Sequence, residues 1–143
     1  MFFALAFAQS LQGVEPLISS VLPRGGMRDS VQEVVIRGQR LDKAAEFFFY
    51  SEGIKVSKIV EEKSTVLKAS FSISKETSFG QHKLRIRTNE GLSNLYTFWV
   101  GPFPNVQENE PNSGFDQAQG IPINSTVNGV ILNEDVGYFE INA

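Results

Sequence analysis

Two acidic residues and an asparagine alternate along one short stretch of the chain, as Glu108, Glu110 and Asn112. Alternate side chains of an extended segment point to the same side, so these three would present their oxygens together. Calcium is held by about six to eight hard oxygen ligands, which makes this spacing a candidate calcium site. Glu134 and Asp135, further along the chain, could complete the ligand shell. The alternative is a solvated acidic linker that binds no metal.

Composition limits the other chemistry that the chain can carry. Its 143 residues include no cysteine and one histidine, His82. Disulfides, thiol nucleophiles, cysteine-ligated zinc and multi-histidine metal sites are therefore excluded. A general base needs a positioned partner, and no serine motif accompanies His82, so we interpret it as a surface or edge histidine. The sequence predicts a protein that is not an enzyme, and no catalytic residue is assigned.

A second candidate surface is basic. Lys83, Arg85 and Arg87 alternate along one predicted strand and would share its outer face, and Lys68 could lie alongside. Such a face could attract an anionic polymer, whereas the simpler interpretation is a solvated sheet surface. The sequence lacks a basic stripe with interleaved aromatic residues, so nucleic acid is not expected as a partner.

Aromatic residues mark another predicted strand, which carries Tyr96, Phe98 and Trp99. Neighbouring side chains of a strand face opposite sides, so one set is expected in the core and the other on the surface. The surface set could bind a sugar or a peptide. The simpler interpretation is that these aromatic residues only pack the core.

The elements that must position these residues are short strands. Between residues 16 and 100, segments rich in Val, Ile, Phe and Tyr alternate with turns rich in Gly, Pro, Asp, Asn and Ser. In the clearest segment, apolar residues occupy every second position and Lys or Ser the others, which predicts one buried and one solvated face. The predicted strands are residues 17–22, 31–37, 46–50, 54–60, 66–74, 83–88 and 94–100. This pattern predicts an all-β protein with an immunoglobulin-like β-sandwich of about seven strands.

Turn glycines and core positions of this region follow a recognisable order. The motifs are Pro16-Leu17-Ile18, the Pro-Arg-Gly-Gly turn at 23–26, His82-x-Leu84-x-Ile86 and Phe98-Trp99-Val100. Residues 14–101 thereby resemble an IPT/TIG domain, an immunoglobulin-like module of large extracellular and cell-surface bacterial proteins. The resemblance implies this fold and a scaffold or binding role, rather than a chemical reaction.

The region after the Gly-Pro-Phe-Pro connector at 101–104 has a different pattern. It contains the Glu-x-Glu-x-Asn stretch at 108–112, a glycine-centred hairpin around Gly129, and Asp135 followed by Tyr138-Phe139. Residues 105–143 resemble the beginning of a bacterial pre-peptidase C-terminal domain, a β-sandwich appended to secreted peptidases and other exported proteins. These 39 residues are too few to close a sandwich, so we expect a truncated, incomplete second β-sandwich.

The same resemblance bears on the calcium site. Some pre-peptidase-like domains bind calcium through a similar alternating acidic stretch, which the resemblance places at Glu108, Glu110 and Asn112. Two positions depart from the favourable pattern: Ser113, where a further acid would help, and Gly137, where the family prefers Asp. Calcium is the one cofactor that the sequence suggests.

Charge and the N-terminus indicate how the chain is organised. All 13 Lys and Arg residues lie at or before Arg87, so residues 1–87 carry +4 and residues 88–143 carry −7, which favours two units. Residues 1–8 are apolar and end in Ala-x-Ala, which we interpret as the remnant of a signal peptide. An ordinary apolar strand or helix is the alternative. This apolar run is too short to span a membrane.

These observations predict a non-catalytic binding or spacer module of an exported bacterial protein, located at the cell surface, in the periplasm or outside the cell. The alternative is an accessory region of a secreted peptidase or other hydrolase whose catalytic domain is missing from this fragment. Expected partners are other domains of the full-length protein and an extracellular protein or polysaccharide.

Overall fold

The computed structural model describes residues 15–44, 46–130 and 135–142. The predicted signal-peptide remnant at 1–8 and Glu134 of the candidate calcium site lie outside these residues. The described part contains thirteen strands and one short 3-10 helix at Phe115–Gln117. The strands are β1 Leu17–Leu22, β2 Gly25–Met27, β3 Ser30–Gln39, β4 Glu46–Phe49, β5 Ile54–Glu62, β6 Val66–Ile73, β7 Gly80–Thr88, β8 Gly91–Leu92, β9 Tyr96–Gly101, β10 Asn105–Gln107, β11 Gln119–Pro122, β12 Thr126–Asn128 and β13 Phe139–Asn142. In this part of the chain, no helix is long and apolar enough to cross a membrane.

Two sheets built from β1 to β9 form the main body of the protein. One has the strand order β1-β3-β6-β5, and the other has the order β2-β9-β7-β4 with β8 paired to β7. Neighbouring strands are antiparallel, except that β2 runs parallel to β9. Sheets of these orders, packed face to face, are the arrangement of an immunoglobulin-like sandwich. The predicted all-β, immunoglobulin-like fold is therefore confirmed.

A single hydrophobic core fills the space between the two sheets. Its centre is Phe71, whose ring makes edge contacts with Phe47, Phe49 and Phe98 at centroid distances of 6.1, 5.1 and 5.4 Å. The predicted inward face of β6 is confirmed, because its alternate apolar residues are all at most 2% exposed. The buried hydrophobic residues are Ile18, Val21, Val34, Ile36, Leu41, Ile54, Leu67, Ala69, Phe71, Ile73, Leu84, Ile86, Phe98 and Val100.

Strand β2 forms where the sequence predicts only a turn. Gly25 pairs with Trp99 of β9, and a Cβ atom on Gly25 would collide with the backbone carbonyl of Trp99. The missing side chain therefore allows the two backbones to approach closely enough to pair. This pairing covers the β9 edge of its sheet with a strand of three residues.

Strand β5 lies at the free edge of the other sheet. Its pairing with β6 is interrupted twice, between Val56 and Lys58 and between Ile59 and Glu61. Such bulges bend and twist an edge strand. They also disturb the in-and-out alternation, which leaves Ile59 and Val60 40% and 53% exposed.

The segment after Gly101 adds little to the core. Strand β10 pairs in parallel with β12, and β11 pairs in parallel with β13, as two separate two-stranded sheets. Most of the second arm of the expected glycine-centred hairpin, residues 131–134, lies outside the described part of the chain. Among the described residues after Gly101, no hydrophobic side chain is buried, and Phe115 and Ile141 are 85% and 64% exposed. The segment docks through Asn105, whose amide donates to the Gly25 carbonyl at 2.6 Å.

Candidate functional site

The outer face of the β2-β9-β7-β4 sheet combines an exposed tryptophan with several basic side chains. On β9, Phe98 and Val100 are buried, so Trp99 between them points outward and is 49% exposed. On β7, the buried Leu84 and Ile86 direct the intervening basic side chains to the same outer face. We call this surface the Trp99 face. It comprises Trp99, Thr97, Gln81, Lys83, Arg85, Arg87, Phe48 and Glu46.

The expected alternation of aromatic residues on β9 is confirmed. Phe98 is fully buried, Tyr96 packs against the core from its edge, and Trp99 is on the surface. On β4, Phe47 and Phe49 likewise pack on the core. Phe47, Phe49, Tyr96 and Phe98 therefore pack on or in the core, whereas Trp99 lies on the surface.

Two depressions flank the Trp99 side chain. One, of about 330 Å³, lies between Trp99, Gly25 and the C-terminal segment, where Phe103 and Asn128 form the far wall. The other, of about 320 Å³, lies beside Leu95, Tyr96 and Thr97. Trp99 and Arg24 line both depressions. The indole thus stands between two adjoining spaces, and Gly25 of β2 lines one of them.

The basic residues of the Trp99 face differ in how they are held. Arg87 donates to the Glu46 carboxylate at 2.6 Å and lies 5.8 Å from the Phe48 ring centroid. Lys83 donates to the Thr97 hydroxyl at 2.6 Å and to the Gln81 side-chain oxygen at 3.2 Å, both uncharged acceptors. The Nε atom of Arg85 is buried and makes no hydrogen bond with the residues that the structure describes. Arg87 is therefore paired with a carboxylate, whereas Lys83 and Arg85 have no anionic partner among the described residues.

The expectation that Lys68 lies alongside these cations is wrong. Strand β6 belongs to the other sheet, so Lys68 lies on the opposite side of the sandwich. There its amine is 2.5 Å from the Glu61 carboxylate. Hydrogen bonds from Lys63 and from Lys68 lower the pKa of Glu61 to about 2. This charge is already balanced locally and does not extend the basic surface.

The interpretation of His82 as a surface or edge residue is also wrong. His82 continues the inward register of Leu84 and Ile86, and it is 1% exposed. Burial is tolerated because both ring nitrogens are bonded: Nε2 donates to the Ser78 carbonyl at 2.8 Å, and Nδ1 accepts from the Ser51 hydroxyl at 2.5 Å. A serine next to a histidine can act as a nucleophile and its base. Here the ring is enclosed, and the pair ties the turn after β4 to the start of β7.

The candidate calcium residues lie in the C-terminal segment. Strand β10 ends at Gln107. The expected extended segment is therefore not a regular strand at Glu108, Glu110 and Asn112. The structure nevertheless brings them together, because Asn112 donates from its amide to Glu108 at 3.1 Å and from its backbone to Glu110 at 3.0 Å. Asn112 is fully buried, and its Oδ1 atom has no hydrogen-bond partner among the described residues.

Glycines adjoin this cluster on two sides. A Cβ atom on Gly129 or on Gly137 would collide with the Glu108 carboxylate. The departure at Gly137 therefore leaves room for that carboxylate. Asp135 is half-buried. Within the described part of the chain, three or more His, Asp or Glu side chains do not converge on a single point.

Comparison with known proteins identifies no family for this chain. No protein-family model and no curated protein matches it. Solved structures with a similar fold include Gamma-CGTase from an alkalophilic Bacillus clarkii, with 20% identity over 66% of this chain and a TM-score of 0.46. The glucan-utilisation protein SGBP-B of Bacteroides ovatus, in complex with a mixed-linkage heptasaccharide, has 14% identity over 76% of this chain and a TM-score of 0.46. The Lin-41 filamin domain has 11% identity over 58% of this chain and a TM-score of 0.41.

These similarities differ in how much of the other protein they involve. This chain spans 91% of the filamin domain, but only 14% of the Gamma-CGTase chain and 25% of SGBP-B. The likeness is one of fold alone.

Proposed function

We propose that this chain is a non-catalytic binding module of an exported bacterial protein, and that the Trp99 face binds an extracellular polysaccharide. In this proposal, residues 14–101 are an IPT/TIG-like sandwich and residues 105–143 are the beginning of a pre-peptidase C-terminal-like domain. The exposed indole between two depressions is the observation that carries the proposal.

An exposed tryptophan suits a sugar ligand for a physical reason. A pyranose ring has a face of C–H groups, and the negative face of an aromatic π-system attracts such weakly positive edges. Binding sites combine apolar and aromatic walls with a few polar groups that fix orientation. Trp99 supplies the aromatic wall, while Thr97, Gln81 and Arg24 supply hydrogen-bonding groups around it.

Substitution of Trp99 by Ala should weaken polysaccharide binding by about tenfold or more, because the stacking surface is removed. The measurement is isothermal titration calorimetry with soluble glucans and uronans, supported by electrophoresis in gels that contain each polymer. Phe79→Ala is the matched control, since Phe79 is also 49% exposed but lines neither of the depressions beside Trp99. Unchanged binding by Trp99→Ala, or the absence of binding to every polymer, would overturn the proposal.

A calcium site in the C-terminal segment is a second proposal. It is supported by the approach of Glu108 to Asn112 and by the buried, unpartnered Oδ1 of Asn112. A buried carbonyl oxygen without a donor is unfavourable, and a cation would satisfy it. Glu108, Glu110, Asn112 and Asp135 would be the protein ligands, and water would supply the remaining oxygens.

If calcium binds there, about 10 mM calcium should raise the unfolding midpoint by roughly 2–5 °C, because it binds the folded state preferentially. Glu110→Gln should abolish this rise, whereas Glu90→Gln, which removes an exposed carboxylate elsewhere, should retain it. Differential scanning calorimetry measures the midpoints. Titration calorimetry that detects no heat at millimolar calcium would leave the solvated linker as the explanation.

A further inference from the structure

We infer that the polysaccharide bound by the Trp99 face is a carboxylated one, a uronic-acid polymer whose sugar ring stacks on Trp99 while its carboxylates meet Lys83 and Arg85. This inference rests on the proposed function and adds the chemical class of the ligand.

Unpaired positive charge on the face is the first observation. The ion pairs among the described residues join Lys63 and Lys68 to Glu61, Lys75 to Glu76, and Arg87 to Glu46. Lys83 and Arg85 therefore have no carboxylate partner in this part of the chain. Charged donors gain most from charged acceptors, so a ligand carboxylate is a better partner than a neutral hydroxyl.

The Arg85 side chain, unlike those of Lys83 and Arg87, has no hydrogen-bond acceptor in the part of the chain that the structure describes. It makes no hydrogen bond within the described residues, and its buried Nε atom lacks an acceptor. An unsatisfied donor on a charged group is costly. Guanidinium groups bind carboxylates through two parallel hydrogen bonds, and the terminal nitrogens of Arg85, which have no acceptor among the described residues, are the atoms that would make them to a uronate.

The register of the sheet places the cations next to the indole. Trp99 pairs with Gln81, and Thr97 pairs with Lys83, so Lys83 is the diagonal neighbour of Trp99. Diagonal neighbours lie about 7–8 Å apart, within reach of long side chains. Arg85 follows on the same face about 7 Å further along β7. A sugar chain that leaves Trp99 across Thr97 therefore passes both cations in turn.

Polymers of another kind fit this surface less well. Nucleic-acid grooves stack successive bases on several aromatic residues along a continuous cationic track. On β9, Trp99 is the exposed ring, and the whole chain carries a net charge of −3. An acidic peptide would meet the same cations, but its extended backbone lacks the flat C–H face with which a pyranose ring covers an indole.

The test compares each uronan with its own uncharged derivative, using the complete chain. The probes are polygalacturonate and alginate, each with its methyl ester, in calorimetric titrations at about 50 and 500 mM salt. We expect at least one free acid to bind about tenfold tighter than its ester at low salt, and this preference to fall at high salt. The Lys83→Gln/Arg85→Gln variant should lose the preference. Lys55→Gln/Lys58→Gln, which removes two exposed charges from the opposite sheet, should keep it.

The outcomes separate this inference from the proposed function. If acids and esters bind equally, or only neutral glucans bind, and binding depends on Trp99, the carboxylate inference is wrong and the proposed function stands. If no polysaccharide binds, or an oligonucleotide competes for the face more tightly than any glycan, both are wrong. Circular dichroism of each variant establishes that a loss of binding is not a loss of fold.

Discussion

Replacing Phe71 by Ala is expected to lower the free energy of unfolding by about 3–5 kcal/mol, the range for removing a large aromatic side chain from a core. Phe71 is fully buried, and three other phenylalanine rings meet its ring edge to face. Phe49 and Phe47 come from the short strand β4, which contacts only β7 within its sheet. Loss of the central ring therefore leaves a cavity and also loosens the strand at the sheet edge.

Equilibrium unfolding in urea, followed by fluorescence of the single tryptophan and by circular dichroism, measures this change. The matched control is Phe115→Ala, because Phe115 is 85% exposed and contacts only Tyr138 among aromatic rings of the described residues. We expect the control to change the stability by less than about 0.5 kcal/mol. Similar losses in both variants would mean that the core is not centred on Phe71.

Proteolysis of the native chain is expected to remove the C-terminal segment and leave the sandwich intact. Two-stranded sheets without a buried hydrophobic side chain open at low cost, whereas the sandwich opens only with its whole core. Chymotrypsin, which cuts after exposed aromatic residues that are not followed by proline, should cleave after Phe115 about tenfold faster or more than trypsin cleaves any site. All tryptic sites lie at or before Arg87, so trypsin reports on the other part of the chain.

The urea-unfolded chain provides the control, since both enzymes should digest it at comparable rates. Mass spectrometry identifies the resistant fragment, which we expect to end between residues 101 and 120 and to unfold cooperatively. A fragment without a cooperative transition would show that the segment is required for folding, through contacts such as the bond from Asn105 to Gly25. The division into residues 14–101 and 105–143 would then be wrong.

Alternation predicted the strands that have one apolar and one polar face. On β6 and β7, the apolar positions alone define which side is buried, and the structure agrees. Strand β2 could not be found in this way, because two of its three residues are glycine and carry no side-chain pattern. Its pairing depends on the close approach of β9, which is a contact between distant parts of the chain.

The candidate site was predictable residue by residue but not as a surface. The sequence indicates that Trp99 could be exposed and that Lys83, Arg85 and Arg87 share a side of their strand. Strand order brings these residues together on one sheet and places Lys68 on the other. The alternation of apolar and polar residues does not encode strand order. His82 was misassigned because its partner Ser51 is 31 residues away, and polar residues are tolerated in a core only when such partners exist.

The two interruptions along β5 have a consequence for how copies of this protein meet. A regular edge strand offers unpaired backbone groups on which a second chain can add, which is a common route to aggregation. Here a continuous intermolecular ladder would break at both bulges, and the exposed charges of Lys55, Lys58 and Glu62 would oppose close stacking. The bulges and charges of β5 therefore protect this edge from pairing with a second copy of the chain.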